Sequence, residues 1–223
     1  MFDKLIPKRF LDSLSEASDA ASDPLSPMRW VVLDTETTGL SLWRDQLISV
    51  AAIAVHVQPG LTAGRICIRD RFEAVIRLPK IKRDKHNILI HHIGVQAQSV
   101  GEDQAQVLTR FGQWIGDAPL FAFHADFDQA MLTRAYKKVS LPVPRNRWID
   151  VARLTNWAAR DARHVSLDDR MTQFGLQCIA RHQASGDTFV TAELLLMLLP
   201  ALRCSASDAA GLARLARDAA PAG

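Results

Sequence analysis

Four apolar residues, Trp30-Val31-Val32-Leu33, run straight into Asp34-Thr35-Glu36-Thr37-Thr38-Gly39. An apolar run of that length reads as a strand buried on both faces, and such strands sit inside a sheet covered by helices. The two carboxylates stand at i and i+2, so a strand sends them out on one face from neighbouring pleats. Two like charges at the edge of a core repel each other and resist desolvation unless a positive charge lies between them. A divalent cation meets that need, and hard oxygen ligands suit magnesium or manganese. A solvated strand end running into a glycine turn is the plainer reading of the same residues, and their partners elsewhere in the chain decide between the two.

The chain is long enough, at 223 residues, to bury a substantial core. With 48% apolar and 23% charged residues it reads as globular, and a formal charge of +3 permits a nucleic-acid partner without requiring one. Cys67, Cys178 and Cys204 are scattered and odd in number, which argues for reduced thiols in a cytoplasmic protein over a disulfide frame or zinc site. No run of 18 apolar residues and no secretory pattern is present, so neither a membrane partner nor an export signal is expected.

Residues 1–28 form a segment of their own, an amphipathic helix (Phe2, Leu5, Phe10, Leu11 and Leu14 among Lys4, Lys8 and Arg9) and a linker from Ala20 to Pro27. That helix either packs on its own domain or docks on a protein partner. A second strand is expected over Gln46–Val57 and a third over Arg65–Arg77, with short turns that favour antiparallel pairing. Lys80, Lys82, Arg83 and Lys85 then mix with His86, His91 and His92, a basic run that reads as a solvated face or a phosphate contact.

From Glu102 the period becomes helical through Val107, Leu108, Phe111, Trp114 and Ile115, closed by Gly116. A strand at Pro119–Phe123, a helix through Met131, Leu132 and Ala135, and a strand at Arg147–Val151 follow. Next come a helix through Leu154 and Trp157 and a capping-box start at Ser166. The last long helix is expected from about Asp187 to Leu202, and the tail of Ala- and Arg-rich residues 205–223 reads as a frayed helix. Three strands and then alternating helices and strands make an α/β domain with a mixed sheet over residues 29–204. Asp128 falls where a strand gives way to a helix, Asp187 opens a helix, and His182 lies five residues before it. By themselves these residues spell no more than a carboxylate metal site.

The segments DTETTGL at 34–40, HADFD at 124–128 and RHQASGD at 181–187 resemble, in order and spacing, the three motifs of the DEDDh 3′–5′ exonuclease family. The epsilon subunit of bacterial DNA polymerase III and ribonuclease T belong to that family. Ile90-His91-His92-Ile93 and Trp148-Ile149-Asp150 resemble smaller signatures of it. The resemblance implies a ribonuclease H-like fold and metal-dependent removal of 5′-mononucleotides from a free, preferably single-stranded, 3′ end of DNA or RNA. It implies that Asp34, Glu36 and Asp187 hold one magnesium or manganese ion, and that Asp34 and Asp128 hold a second. Two such ions stand about 3.5–4 Å apart in enzymes of this type. His182 is then the general base, an imidazole being suited to proton transfer near neutral pH. Thr35, Thr37, Thr38, Gly39, Leu40, His91 and Phe127 would contact the terminal nucleotide, with Leu40 equally open to core packing. Many members carry H-N-x-x-F-D, and H-A-D-F-D here lacks the Asn, which leaves His124 and Asp126 without an assigned role. Two other readings remain, a nucleic-acid-binding module without turnover and a hydrolase of very short oligonucleotides.

Overall fold

A computed structural model describes residues 26–78, 99–160, 165–178 and 180–219. The expected N-terminal helix, the basic run and His91 lie outside these residues. Five strands form one sheet in the order β3-β2-β1-β4-β5. They are β1 (Met28–Thr37), β2 (Leu47–Val57), β3 (Gly64–Val75), β4 (Leu120–Ala122) and β5 (Trp148–Asp150). The first three pair antiparallel, whereas β4 joins β1 in parallel and β5 joins β4 in parallel. The chain is thus the mixed α/β sheet expected. β3 ends two residues earlier than Arg77 because Ile76 leaves the antiparallel ladder for a parallel bridge to Glu102.

Alternation along β1 decides which helices it meets. Trp30 and Val32 point to one face with Val55, Phe121 and Ile149, where Trp30 stacks on Phe121 at 4.7 Å. Helices α3 (Val151–Ala159), α5 (Ala184–Leu202) and α6 (Ala209–Asp218) close that face. Val31 and Leu33 point to the other, under α1 (Gln104–Ile115) and α2 (Ala125–Lys138). A shorter helix, α4 (Leu167–Phe174), opens with the capping box read at Ser166, whose hydroxyl and Asp169 satisfy each other's backbone N–H.

A helix does form after Ser205, over Ala209–Asp218, and it is packed, not frayed. α6 is capped by Asp208, which accepts from the Gly211 N–H, and it buries Leu212, Ala213 and Ala216 in the core shared with α3 and α5. Its Ala-rich face suits close packing, whereas composition alone suggested fraying. α5 is apolar and long enough, by length and composition, to cross a membrane, but Val190, Leu194, Leu195 and Leu198 are buried against the sheet and it serves as a core helix.

Candidate active site

β1 and the parallel β4 and β5 all end at one edge of the sheet, and the acidic residues gather there. In open sheets this edge, next to a reversal of strand order, is where ligand crevices form. Asp34 and Glu36 continue the Trp30–Val32 face of β1, the face covered by α5, and α5 carries Asp187 in its first turn. Carboxylate oxygens of Asp34, Glu36 and Asp187 lie within 4.8 Å of one another. Thr35 points the opposite way, towards α2, and its hydroxyl donates to Asp128 Oδ1 at 2.7 Å in a buried bond. One strand therefore addresses both helices, with carboxylates on one side and a hydroxyl that positions Asp128 on the other.

The charges are poorly compensated. Burial first, then the charges of Asp128, Glu36 and Asp187, hold Asp34 well above the usual carboxylate range, with Arg181 pulling back. Burial, with Asp187 and Asp128 behind it, pushes Glu36 up to about 8, again against Arg181. Burial raises Asp128 also, although the Thr35 hydrogen bond works the other way. Carboxylates that resist ionisation at neutral pH mark a site that a cation completes. The donor set is all oxygen, which fits a hard divalent cation held by Asp34, Glu36 and Asp187.

The 181–187 segment is folded tightly over the N-terminus of α5. His182 takes φ 58° and its N–H donates to Asp187 Oδ2 at 3.2 Å, while its ring is exposed. Gly186 allows this because a Cβ there would run into the Ala180 carbonyl. Arg181, which the motif reading passed over, forms an ion pair with Asp187 and grips Asp168 of α4 through Nε at 2.6 Å and Nη2 at 3.0 Å. Burial opposes its charge, but the bonds to Asp168 and Asp187 outweigh burial and raise its pKa. No signal in a single sequence links Arg181 to Asp168, since the pair spans a turn and a helix end.

Of the residues expected at the substrate, Thr35, Thr37 and Thr38 spend their hydroxyls internally, on Asp128, the Gly39 carbonyl and Asp45 Oδ1. Leu40 is 86% exposed, which rules out core packing for it, and Phe127 is half-buried beside Asp128. Asp126 is turned away in a salt bridge to Arg153 at 2.6 Å, and His124 occupies a left-handed turn edge-on to Phe123. Asp150, at the end of β5, is a further buried carboxylate that caps α3 through the Arg153 N–H and adds to the charge around Asp128.

The profile of the ribonuclease T exonuclease family, described simply as exonuclease, matches residues 31–195. Curated relatives include the PolC-type DNA polymerase III of Bacillus subtilis (strain 168), 32% identical over 191 residues and 84% of this chain. That of Halalkalibacterium halodurans is 31% identical over 186 residues and 82% of this chain. The chain spans only 12% of the length of each. Among solved structures, cell-death related nuclease 4 superposes with a TM-score of 0.67 at 16% identity, covering 81% of this chain and 66% of the nuclease. Exonuclease X, solved with 5′ overhanging duplex DNA, gives 0.62 at 19% identity over 84% of this chain and 99% of its own. E. coli exonuclease I, solved with a dT13 oligonucleotide, gives 0.63 at 15% identity over 77% and 41%. At such identities the structures speak for the fold alone, whereas the match over residues 31–195 speaks for descent. The chain belongs to the DEDDh-type 3′–5′ exonuclease family, hydrolases of the nuclease class.

Proposed function

We propose that this chain is a metal-dependent exonuclease that shortens single-stranded DNA or RNA from a free 3′ end and releases 5′-mononucleotides. The observation that carries this reading is the cluster of Asp34, Glu36 and Asp187, brought within 4.8 Å from β1 and α5, with Asp128 alongside. Asp34, Glu36 and Asp187 would hold one divalent ion, and Asp34 with Asp128 a second. Bound there, the ions supply charge stabilisation for the attacking and leaving oxygens and acidify the attacking water.

The protein's own residues do the rest. Water attacks phosphorus and its proton passes to a ring nitrogen of His182, while the P–O3′ bond breaks and O3′ takes up a proton from solvent to leave a 3′-hydroxyl on the shortened strand. The exposed ring of His182 is free to reach a substrate and to return its proton to solvent. Thr35 keeps Asp128 oriented through its hydroxyl, and Arg181 braces Asp187 against α4. The backbone of the turn at residues 35–40 cups the terminal sugar and leaves no room for a strand that continues past it.

A 5′-labelled single strand, as DNA and as RNA, incubated with magnesium and resolved on a gel tests the reading. A ladder of labelled products shortened from the 3′ end is expected, abolished by chelation and restored by magnesium or manganese. Full activity in excess chelator refutes the metal role. Rapid internal cutting of a circular strand refutes exonuclease action, and binding without any product leaves a silent nucleic-acid module.

A further inference from the structure

The loop between β1 and β2 presents two large apolar side chains to solvent, Leu40 at 86% and Trp43 at 91% exposure, with Leu42 partly exposed between them. Nothing about this loop suggests that it is loose. Thr38 Oγ1 donates to Asp45 Oδ1 at 2.9 Å and accepts from the Gln46 N–H at 2.9 Å. The Ser41 N–H donates to Asp45 Oδ2 at 2.9 Å, and the Asp45 N–H returns a bond to the Ser41 carbonyl at 3.0 Å. Gly39, at φ 155°, lets Asp45 close in, since a Cβ there would meet Asp45 Oδ2 at 2.6 Å. Arg134 donates to the Leu42 carbonyl and Lys138 to Gln46 Oε1 at 2.8 Å, which ties the loop to α2. An exposed indole on a braced turn is a surface built for contact.

Its surroundings say contact with what. Arg44 is exposed next to Trp43, and Arg134 and Lys138 bring two more cations from α2. Neither Arg44 nor Arg134 forms a salt bridge among the described residues. A flat π surface ringed by cations matches single-stranded nucleic acid, in which bases stack and phosphates are paired. The loop also adjoins the acidic crevice, because it starts two residues beyond Glu36. Arg134 lies six residues along α2 from Asp128, or about 9 Å at the helical rise.

We infer that Trp43 is a stacking platform for a base upstream of the 3′-terminal nucleotide, with Arg44 and Arg134 set against the adjoining phosphates. The inference rests on the exonuclease reading and adds to it a residue that grips the strand behind the scissile end. It makes the enzyme's grip depend on bases as well as on the backbone, and it predicts a substrate of several nucleotides over a dinucleotide.

The test is binding of 5′-fluorescein dT12, with a phosphorothioate at its terminal linkage and calcium as the cation, followed by anisotropy on the full chain. Trp43→Ala should bind roughly five- to 150-fold more weakly, the usual effect of removing one stacked base contact, while Trp43→Phe keeps most of the affinity. Both variants should melt with the wild type, since the side chain is exposed. A set of dT12 probes with one abasic site at successive positions should weaken wild-type binding most at a single position near the 3′ end. At that position the abasic probe should cost Trp43→Ala nothing further. Equal affinity of Trp43→Ala and wild type overturns the inference and leaves the loop to a protein contact, while the gel assay still stands for the exonuclease reading. An equal abasic penalty at every position overturns it as well. A wild type that neither binds nor cleaves any strand overturns both.

Discussion

The two ends of β1 hold charges in opposite ways. At its start Arg29 meets Asp70 through Nε at 2.8 Å and Nη2 at 3.1 Å, lies over the Trp114 ring at 4.7 Å, and lowers the Asp70 pKa through its hydrogen bonds. At its end Asp34 and Glu36 stand beside Asp187 and Asp128, and their pKa values are raised by burial and by one another. One strand thus carries a closed ion pair and, five to seven residues on, a cluster in which, among the described residues, carboxylates outnumber their one cationic partner, Arg181. The difference teaches how to read charge in this fold: a matched carboxylate holds the structure together, and an unmatched one is kept at a cost in stability for chemistry.

Removing one charge from the open end should have the largest effect. In the proposed two-ion site Asp34→Asn would strike the carboxylate shared by both ions, and cleavage should then fall by at least about 10³-fold, since bound ions supply several kcal/mol. Calorimetric titration with manganese should show the lost binding directly. His182→Ala should come next, with a loss of about 10²–10⁴-fold in kcat and little change in KM. Because its N–H holds Asp187 through the backbone, that bond survives the substitution. A magnesium titration that restores near wild-type turnover would make His182 a scaffold and not the base.

Thr35→Val should cost less, about 10–100-fold in activity, as the removal of a hydrogen bond to a metal-holding group generally does. An unchanged rate and magnesium dependence would sever Asp128 from the proposed site. The smallest effects concern stability, and there the two ends should move in opposite directions with pH. Folded Glu36 keeps a proton up to about 8 that the unfolded chain releases near 4.5. The metal-free protein should therefore lose stability as pH rises through that window, and a divalent cation should reverse the loss. Asp70 ionises below 3.8 when folded, so its contribution is present above that value and fades as pH falls beneath it. Arg29→Ala should remove that acid-side contribution for about 1 kcal/mol, the pair being partly exposed, and leave cleavage alone. Melting curves in chelator across pH measure both ends in one experiment.

Much of this was legible before any coordinates. Periodicity located every strand among the described residues and the principal helices, because apolar alternation and the 3.6-residue stripe follow directly from which faces are buried. The D-x-E spacing placed both carboxylates on one face of β1, where they lie. What stayed hidden depended on contacts between distant segments. That Thr35 would meet Asp128 follows from strand parity only once α2 is known to cover that face. Nothing in the sequence sets Arg181 apart, and its role rests on α4 bringing Asp168 to it. That α6 is a helix is legible, but its packing is not, because alanines give little periodic signal though they pack where bulkier residues could not. Leu40 was equally open to two readings, and its 86% exposure removes one of them.

The placement of Asp187 on α5 also sets an order in time. Asp34 and Glu36 are in place once the β1–β2–β3 meander forms, but the third member of the cluster arrives roughly 110 residues after β3 ends. At about 5–20 residues per second of synthesis, that is an interval of about 6–22 s. Through that interval the nascent chain lacks α5, which supplies much of the cover for the Trp30–Val32 face, and has no carboxylate to complete the cluster. The event that seals the core on this face and the event that assembles the acidic cluster are one docking step. Cutting power is therefore withheld from any chain whose core is not yet closed.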